Sequence, residues 1–240
     1  MFKSFLVSLA AWLLAATAHA SVVMGTTRVI YPASAAEVTV QVFNRDPTPA
    51  LLQVWLDDGD AAADPQVIQV PFLVSPAMFR VEATKGQALR VMHTGEPLAS
   101  DRESLYWLNM LQVPPRADGA ANQLQMAIRT RIKLMYRPLG LPGKAADAPA
   151  EVRWRLVKEG GRPALLADNP GPYVVNLGEV NLVSGAQVLP AGAGHVLPFA
   201  QARFYLAEDA SPIDGDGTVR YIALDDYGAG RPGEAQVGPP

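Results

Sequence analysis

The sequence contains no cysteine. This absence excludes disulfide bonds and thiol catalysis, so an exported chain of this kind has to be stabilised by its hydrophobic core alone. Histidine is scarce as well, since there are only three, and neither His93 nor His195 belongs to an HExxH or HxH pair. No GxSxG segment is present that would carry a hydrolase serine. We therefore expect a protein that is not an enzyme.

An excess of basic residues is also missing. The 20 lysines and arginines include Lys3 in the leader described below, and without it 19 basic residues face 23 acidic ones, a net charge of −4. This balance gives no reason to expect a nucleic acid or an anionic membrane as partner. No glycine-rich phosphate-binding loop is present, so no nucleotide is expected.

Two acidic segments resemble metal sites only faintly. The segment "DDGDAAAD", Asp57 to Asp64, is predicted to be a solvated loop. The segment "IDGDGT", Ile213 to Thr218, lacks the third acidic position and the distal glutamate of a calcium loop, and a hairpin turn explains it better. We therefore expect no metal and no cofactor.

Long apolar runs are absent after the first twenty residues. Those twenty contain Lys3, then an apolar segment from Phe5 to Ala16, then Ala18-His19-Ala20. This order is typical of a cleavable secretory signal peptide, and the apolar segment is shorter than the ~20 residues that span a membrane. We expect residues 1–20 to be removed, which leaves a chain of about 220 residues outside the cytoplasm.

The rest of the chain has many short apolar runs separated by turn residues, among them "EVTVQVFN", "LLQVWLDD" and "QALRVM". With 20 glycines and 21 prolines, and without an amphipathic helix of three turns, this pattern predicts an all-β protein built from antiparallel sandwiches. A second series of runs follows a segment rich in proline, glycine and alanine. The predicted units are residues 21–139, a linker at 140–150, residues 151–228 and a flexible tail at 229–240.

One segment alternates for longer than an ordinary strand. In "NQLQMAIRTRIKLMYRP", which begins at Asn122, apolar residues occupy one parity and basic residues much of the other. The alternation predicts a strand over 122–134, about twice the typical length. Its apolar face either packs on the protein's own core or is offered to a partner. The apolar parity comprises Leu124, Met126, Ile128, Thr130, Ile132 and Leu134.

The most distinctive segment is "LASDRESLYWLNMLQVPP", which begins at Leu98. Its charge cluster, its aromatic strand and its closing Pro-Pro resemble the diagnostic stretch of the PapD-like periplasmic pilus chaperones. Four further segments resemble landmarks of that family in its order, so the likeness covers essentially the whole mature chain. They are "TRVIY" from Thr27, "IKLMYRP" from Ile132, "NPGPY" from Asn169 and "DDYGAGRP" from Asp225.

The resemblance implies two immunoglobulin-like β-sandwich domains set as a boomerang around a cleft. It also implies a periplasmic chaperone that binds, folds and stabilises pilus subunits by donor-strand complementation and delivers them to an outer-membrane usher. The partners are then pilins, an adhesin and the usher. The short segment "RADGAANQ" and the missing cysteines resemble the short-loop subgroup.

The resemblance further assigns roles to residues. It places Leu124, Met126 and Ile128 on the strand offered to the subunit, with Ile132 and Leu134 nearer the core. A slip of one residue would turn these side chains away, so the register has to be fixed. By resemblance, Arg28 and Lys133 fix it, because they anchor the C-terminal carboxylate of the subunit.

A third set is implied to join the domains: Glu103, Arg137 and Asp226 match an interdomain ion-pair network. If these ion pairs are exposed, each contributes ~0–1 kcal/mol, and the network affects the angle between the domains more than stability. Loss of Arg137 is then expected to lower recovery of the protein with little loss of subunit affinity.

Other functions compete with this interpretation. A non-enzymatic adhesion or carbohydrate-binding sandwich would fit the predicted fold. A pilus subunit would be shorter, single-domain and usually disulfide-bonded. A secreted hydrolase would need more than two isolated histidines. The apolar strand also favours self-association of the free protein.

Overall fold

The structure is a computed structural model that describes residues 22–113, 126–207 and 217–239. The predicted signal peptide, Leu124 and most of the segment Ile213 to Thr218 lie outside these residues. The described part consists of sixteen strands and one short helix, α1 (Ala148–Glu151). None of its helices is long and apolar enough to cross a membrane.

The N-terminal domain is a sandwich of two sheets, with strand orders β1-β3-β7-β5 and β2-β9-β8-β4-β6. All pairs are antiparallel except β2 with β9, which is parallel. The apolar residues of the two inner faces meet in one core, to which Leu52, Leu89 and Leu134 contribute fully buried side chains. The strands are β1 (Val22–Met24), β2 (Arg28–Pro32), β3 (Glu37–Asn44), β4 (Ala50–Asp57), β5 (Phe72–Ser75), β6 (Met78–Val81), β7 (Gly86–His93), β8 (Ser104–Val113) and β9 (Ile128–Arg137).

The C-terminal domain has one seven-stranded sheet, in the order β13-β12-β15-β16-β10-β11-β14. Its edge strands β13 and β14 approach each other, so the sheet curls around a separate core that includes Trp154 and Leu177. Leu141 and Ala145 of the predicted linker also pack on this core. The strands are β10 (Arg153–Glu159), β11 (Arg162–Asn169), β12 (Val175–Ser184), β13 (Gln187–Val196), β14 (Ala200–Tyr205), β15 (Thr218–Leu224) and β16 (Gly230–Gly238). The predicted all-β fold with two domains is confirmed.

The prediction of a flexible tail at residues 229–240 is wrong. Strand β16 occupies most of it and pairs with β15 from Gly230 to Gln236 and with β10 at Val237 and Gly238. At Pro232 the strand has only one paired neighbour, a place where sheets tolerate proline. A Cβ on Gly233 would lie 2.5 Å from the ring of Tyr221, so a glycine is needed where that ring crosses the strand. The proline and glycines of this segment, which are typical of a linker, therefore lie in β16, a central strand of the sheet.

Strand β9 also differs from the predicted strand at 122–134. Within the described residues it begins at Ile128 and runs to Arg137, three residues beyond the expected end. Strand β9 is longer at this end because its last residues pair with β8, with β2 or with both. The alternation of residues in the sequence does not reveal this pairing. Met126 and Ala127 precede the strand, and residues 122–125 are outside the described part.

Removal of residues 230–240 is expected to abolish cooperative folding of the C-terminal domain, because it deletes the strand between β15 and β10. The near-ultraviolet circular dichroism includes the signal of the buried Trp154, and the part of the thermal transition that comes from the C-terminal domain should disappear. Removal of Pro240 alone is the control and should leave the transition in place. A truncated protein that unfolds like the full chain would contradict a structural role for β16.

Candidate functional site

The structure brings Arg28 and Lys133 together. Strands β2 and β9 run parallel in a register that pairs these two residues directly. Arg28 is only 7% exposed, and Lys133 is half-buried. Among the described residues, neither cation takes part in a salt bridge. Two adjacent positive charges without an acidic partner form a site that favours a small anion.

Both cations donate a hydrogen bond to the C-terminal domain. Arg28 Nη1 donates to the backbone oxygen of Leu224 at 3.0 Å, and Lys133 Nζ donates to Asn176 Oδ1 at 2.6 Å. The Arg28 Nε atom is buried and has no hydrogen-bond partner among the described residues. The cation pair therefore lies in the cleft between the domains, and both domains shape it.

The electrostatics of the cleft follow from burial and from proximity of like charges. Burial and the neighbouring charge of Arg28 lower the pKa of Lys133 to about 8. Burial also lowers the pKa of Arg28, although Asp225 and Asp226 act against it. Burial and the charge of Lys133 lower the pKa of His195 to about 4, so this histidine is neutral at pH 7. The positive charge of the cleft at pH 7 thus comes from Arg28 and Lys133.

The apolar parity of the long strand divides into two parts. Ile132 and Leu134 belong to the buried core, whereas Met126 is 72% and Ile128 is 53% exposed. Side chains two residues apart on a strand point to the same side, so one apolar stripe leads from the core into solvent. Leu124, the third predicted donor residue, lies outside the described residues.

The two edges of β9 differ in their pairing over its first five residues. Strand β8 pairs with β9 from Ile128 onward, whereas β2 pairs with it only from Lys133 onward. Among the described residues, the edge from Ile128 to Ile132 therefore has no neighbouring strand on the side of β2. A strand added there would continue the line of β2, and if it ran parallel to β9 it would end against Arg28.

The basic side chains of β9 contact a buried acidic residue on the same face of the sheet. Asp57 was expected in a solvated loop, but it ends β4 and is 0% exposed. Arg131 forms a salt bridge with Asp57, Asn109 Nδ2 donates to its Oδ2 at 2.7 Å, and Arg129 Nη2 lies 3.4 Å from the same oxygen. Burial raises the pKa of Asp57, but hydrogen bonds from Arg131, Asn109 and the Gly59 amide outweigh it and hold the pKa below its usual value.

Aromatic rings lie between these charges on the same face of the sheet. The Arg129 guanidinium is 4.9 Å from the Trp55 ring, and that of Arg131 is 4.1 Å from Trp107. Lys133 Nζ lies 5.6 Å from Trp107, which also contacts His195 edge-on at 6.1 Å between ring centroids. Cation–π contacts of this kind hold basic side chains against the sheet. The sequence showed the basic alternation but not these partners, because they depend on which strands are neighbours.

The predicted interdomain set is also in contact. Arg137 Nε donates to Glu103 Oε1 at 2.6 Å, and its two Nη atoms donate to the carboxylate of Asp226 at 2.7 and 2.8 Å. Glu103 Oε2 accepts a hydrogen bond from the Val174 amide at 2.7 Å. Its own amide donates to the Pro172 oxygen at 2.8 Å. The three residues therefore tie the two domains together.

The condition that these ion pairs are exposed holds only in part, since Asp226 is partly exposed and Glu103 is not. Glu103 is 3% exposed, because the C-terminal domain covers it. Burial raises the pKa of Glu103, and the charge of Arg137 opposes this without cancelling it. Removal of the cation from a buried ion pair is costly, because the remaining carboxylate has lost both water and partner. We therefore expect the network to affect stability as well as geometry.

The two histidines were expected to be ordinary strand-end or loop residues. His93 ends β7 and packs against Phe72 and Tyr136, with 5.3 Å between ring centroids in each case. His195 lies on β13 of the other domain, in the cleft beside Trp107. Across the described ranges, no group of three or more histidine, aspartate or glutamate side chains is placed to hold a metal ion.

Comparisons with known proteins identify the class to which this fold and cleft belong. Residues 21–142 match the family model described as "Pili and flagellar-assembly chaperone, PapD N-terminal domain". Residues 147–235 match that of "Pili assembly chaperone PapD, C-terminal domain". The chain belongs to the PapD-like family of pilus-assembly chaperones, and the resemblance noted from the sequence is confirmed.

Particular relatives are similar over most of the chain. The chaperone protein FimB/FhaD of Bordetella pertussis is 41% identical over 93% of this chain and 91% of its own length. The chaperone protein HifB of Haemophilus influenzae is 39% identical over 98% and 97%. The crystal structure of the YadV chaperone has a TM-score of 0.77 at 33% identity and covers 90% of this chain and 100% of its own.

Replacement of Arg137 by alanine is expected to destabilise the protein by about 3 kcal/mol at pH 7, the lower end for a broken buried ion pair because Asp226 is partly solvated. The loss should be smaller at pH 5. A buried carboxyl without its cation has a raised pKa, takes up a proton there and no longer carries an uncompensated charge. Urea unfolding at both pH values measures the difference.

The control is Arg80→Ala, which removes an exposed ion pair with Glu82 in the same domain and should cost less than about 1 kcal/mol. Equal effects of the two substitutions would mean that the interdomain network stabilises no more than a surface pair.

Proposed function

We propose that this protein is a periplasmic chaperone that binds, folds and stabilises pilus subunits by donor-strand complementation and delivers them to an outer-membrane usher. The observation that carries the proposal is the edge of β9 from Ile128 to Ile132, which has no neighbour on the side of β2 in the described part of the chain and leads directly to the cations Arg28 and Lys133. An incoming strand finds a hydrogen-bonding edge, an apolar stripe and an anion site in one line. These are the elements of β-strand addition with a fixed register.

The apolar stripe supplies the donated side chains. Met126 and Ile128 are exposed in the free protein, and Leu124 continues the same parity in the sequence. Burial of each in a subunit groove contributes roughly 1.5–3 kcal/mol. Losses of translational freedom and side-chain entropy reduce this sum. The stripe ends where Ile132 enters the core. The side chains offered to the subunit are therefore those that do not pack in the core of the chaperone.

The cations supply the register. A subunit strand parallel to β9 would place its C-terminal carboxylate beside Arg28 and Lys133. Each charge-assisted hydrogen bond contributes about 1.5–3 kcal/mol, so two of them penalise a slip of one residue strongly. The apolar side chains then face the groove of the subunit rather than solvent.

Relatives support the same role. The pilin SafA of Salmonella enterica has been solved in complex with the chaperone SafB, and the matched chain is 32% identical to this one, with a TM-score of 0.73 and coverage of 90% of this chain and 95% of its own. A signal peptide at residues 1–20 would bring the chain to the periplasm, as the role requires. The protein would act by binding alone, since its histidines are separated and pack against aromatic rings.

The proposal is tested by pull-down from the periplasm of the native host with the tagged full-length chain, beside Arg28→Ala, Lys133→Ala and Ile128→Asp. The wild type is expected to retain pilin-sized partners, which mass spectrometry identifies. The first two variants should lose them because the carboxylate is no longer held, and the third because a charge faces the apolar groove.

Matched controls separate these effects from general surface changes. Lys158→Ala removes an exposed lysine, and Val188→Asp places a charge on an exposed apolar site of the C-terminal domain. Both should retain the partners. Pilins that persist with all three test variants would contradict the proposal, as would the absence of any pilin from the wild type.

The affinity for a subunit is expected to fall as the pH rises through about 8. Below that value Lys133 carries its proton and holds the carboxylate, and above it binding has to be coupled to proton uptake. The dissociation constant should therefore increase by up to about tenfold per pH unit. Titration calorimetry with a purified subunit between pH 7 and pH 9.5 measures this. Lys133→Arg, whose guanidinium stays protonated, should bind with little pH dependence, and an equal dependence in both proteins would exclude Lys133 as the titrating group.

A further inference from the structure

The two cations of the anchor site belong to the N-terminal domain, yet each donates a hydrogen bond to the C-terminal domain. Lys133 Nζ is 2.6 Å from Asn176 Oδ1, and Arg28 Nη1 is 3.0 Å from the Leu224 oxygen. A lysine side chain has four rotatable carbon–carbon bonds and a freely rotating ammonium group, so it needs a fixed acceptor to hold one position. The C-terminal domain supplies that acceptor.

We propose that Asn176 is a positioning residue of the carboxylate anchor, which holds the Lys133 ammonium beside Arg28 so that both cations meet one carboxylate. The inference rests on the proposed function and adds to it a residue from the domain that does not carry the donor strand. The anchor is then a site shared between the domains.

The surroundings of Asn176 suit this role. Asn176 is the second residue of β12 and is buried. It pairs with His195 of the neighbouring strand β13. Its Nδ2 atom donates to Met135 Sδ at 3.4 Å, which leaves Oδ1 directed at Lys133. Its neutral amide accepts from the ammonium group without cancelling the charge. An aspartate at this position would form an ion pair with Lys133 and repel an incoming carboxylate.

The other charged or titratable groups around the site do not replace Asn176. Arg28 on β2 repels the ammonium, and His195 on β13 is neutral at pH 7 because its pKa lies at about 4. Asp225 and Asp226 act on Arg28 but form no salt bridge with Lys133. Within the described residues, the amide oxygen of Asn176 is the acceptor that Lys133 uses.

The anchor site and the interdomain ion pairs lie close together along the chain. Leu224, which accepts from Arg28, lies two residues before Asp226, which binds Arg137. Arg137 in turn follows Lys133 by four residues on β9. The interdomain angle that closes the ion pairs therefore also brings the two acceptors to the two cations.

The test uses the full mature chain and a synthetic probe, an N-acetylated peptide of alternating valine and threonine with a free C-terminal carboxylate, beside its C-terminal amide. The wild type should bind the carboxylate form more tightly. In Asn176→Ala this preference should fall about tenfold, the effect of one hydrogen bond to a charged group. In Asn176→Asp it should disappear.

A second readout separates positioning from folding. Lys85, Lys133, Lys144 and Lys158 are the lysines after residue 21, so ¹³C-lysine resonances are easily assigned. The pKa of Lys133 should fall in Asn176→Ala, which removes an acceptor of the charged form, and rise in Asn176→Asp, which adds a negative charge. The control Asn181→Ala, on the same strand and bonded to exposed Glu179, should change neither the preference nor the pKa.

The outcomes separate the existence of the carboxylate anchor from the role of Asn176 in it. A wild type that binds both peptides equally contradicts the carboxylate anchor itself. A wild type with a clear preference that Asn176→Ala and Asn176→Asp both retain, with an unchanged Lys133 pKa, overturns the role of Asn176 alone. If Asn176→Ala does not fold, Asn176→Leu, which has a similar size but no acceptor oxygen, decides between the two results.

Discussion

The fork of hydrogen bonds made by Arg137 joins the two domains at the cleft. One guanidinium binds a buried glutamate of its own domain and a carboxylate of the other, in the planar geometry that suits arginine and that a lysine does not provide. Glu103 also accepts from a backbone amide of the C-terminal domain. These contacts cross between the domains, as do the hydrogen bonds that Asn176 and Leu224 accept from the two cations.

The two halves of strand β9 differ in their neighbours. Its C-terminal half lies between β8 and β2, fills the core with Leu134 and carries Arg137 into the interdomain contact. Its N-terminal half has no neighbour on the side of β2 among the described residues, and it exposes Ile128. A free edge with an apolar face normally favours aggregation. Here Arg129 and Arg131 bind Asp57 on the opposite face, so the strand is fixed to the sheet although Ile128 on its apolar side is exposed.

Several features could be predicted from residues alone because they depend on local pattern. Alternation with a period of two indicated the strands, and the segments from Leu98 and Ile132 carried enough detail to point to one family. The predictions for the C-terminal tail and for Asp57 were wrong because the local composition there does not match the position of the residues in the fold. The tail from Gly230 looks like a linker but forms a central strand, since Pro232 has one paired neighbour and Gly233 accommodates a ring. Asp57 looks solvated because further acidic residues follow it in the sequence, yet it faces arginines from another strand.

The sequence by itself determined the strand alternation, the family and the residue types of the site, because each of these is encoded within short stretches. Only the tertiary structure decided which side chains meet. The pairing of Arg28 with Lys133 spans more than a hundred residues and follows from the parallel register of β2 and β9. The burial of Glu103 and the contact of Lys133 with Asn176 follow from the packing of one domain on the other. Such contacts depend on strand order and domain angle, which no local pattern of residues contains.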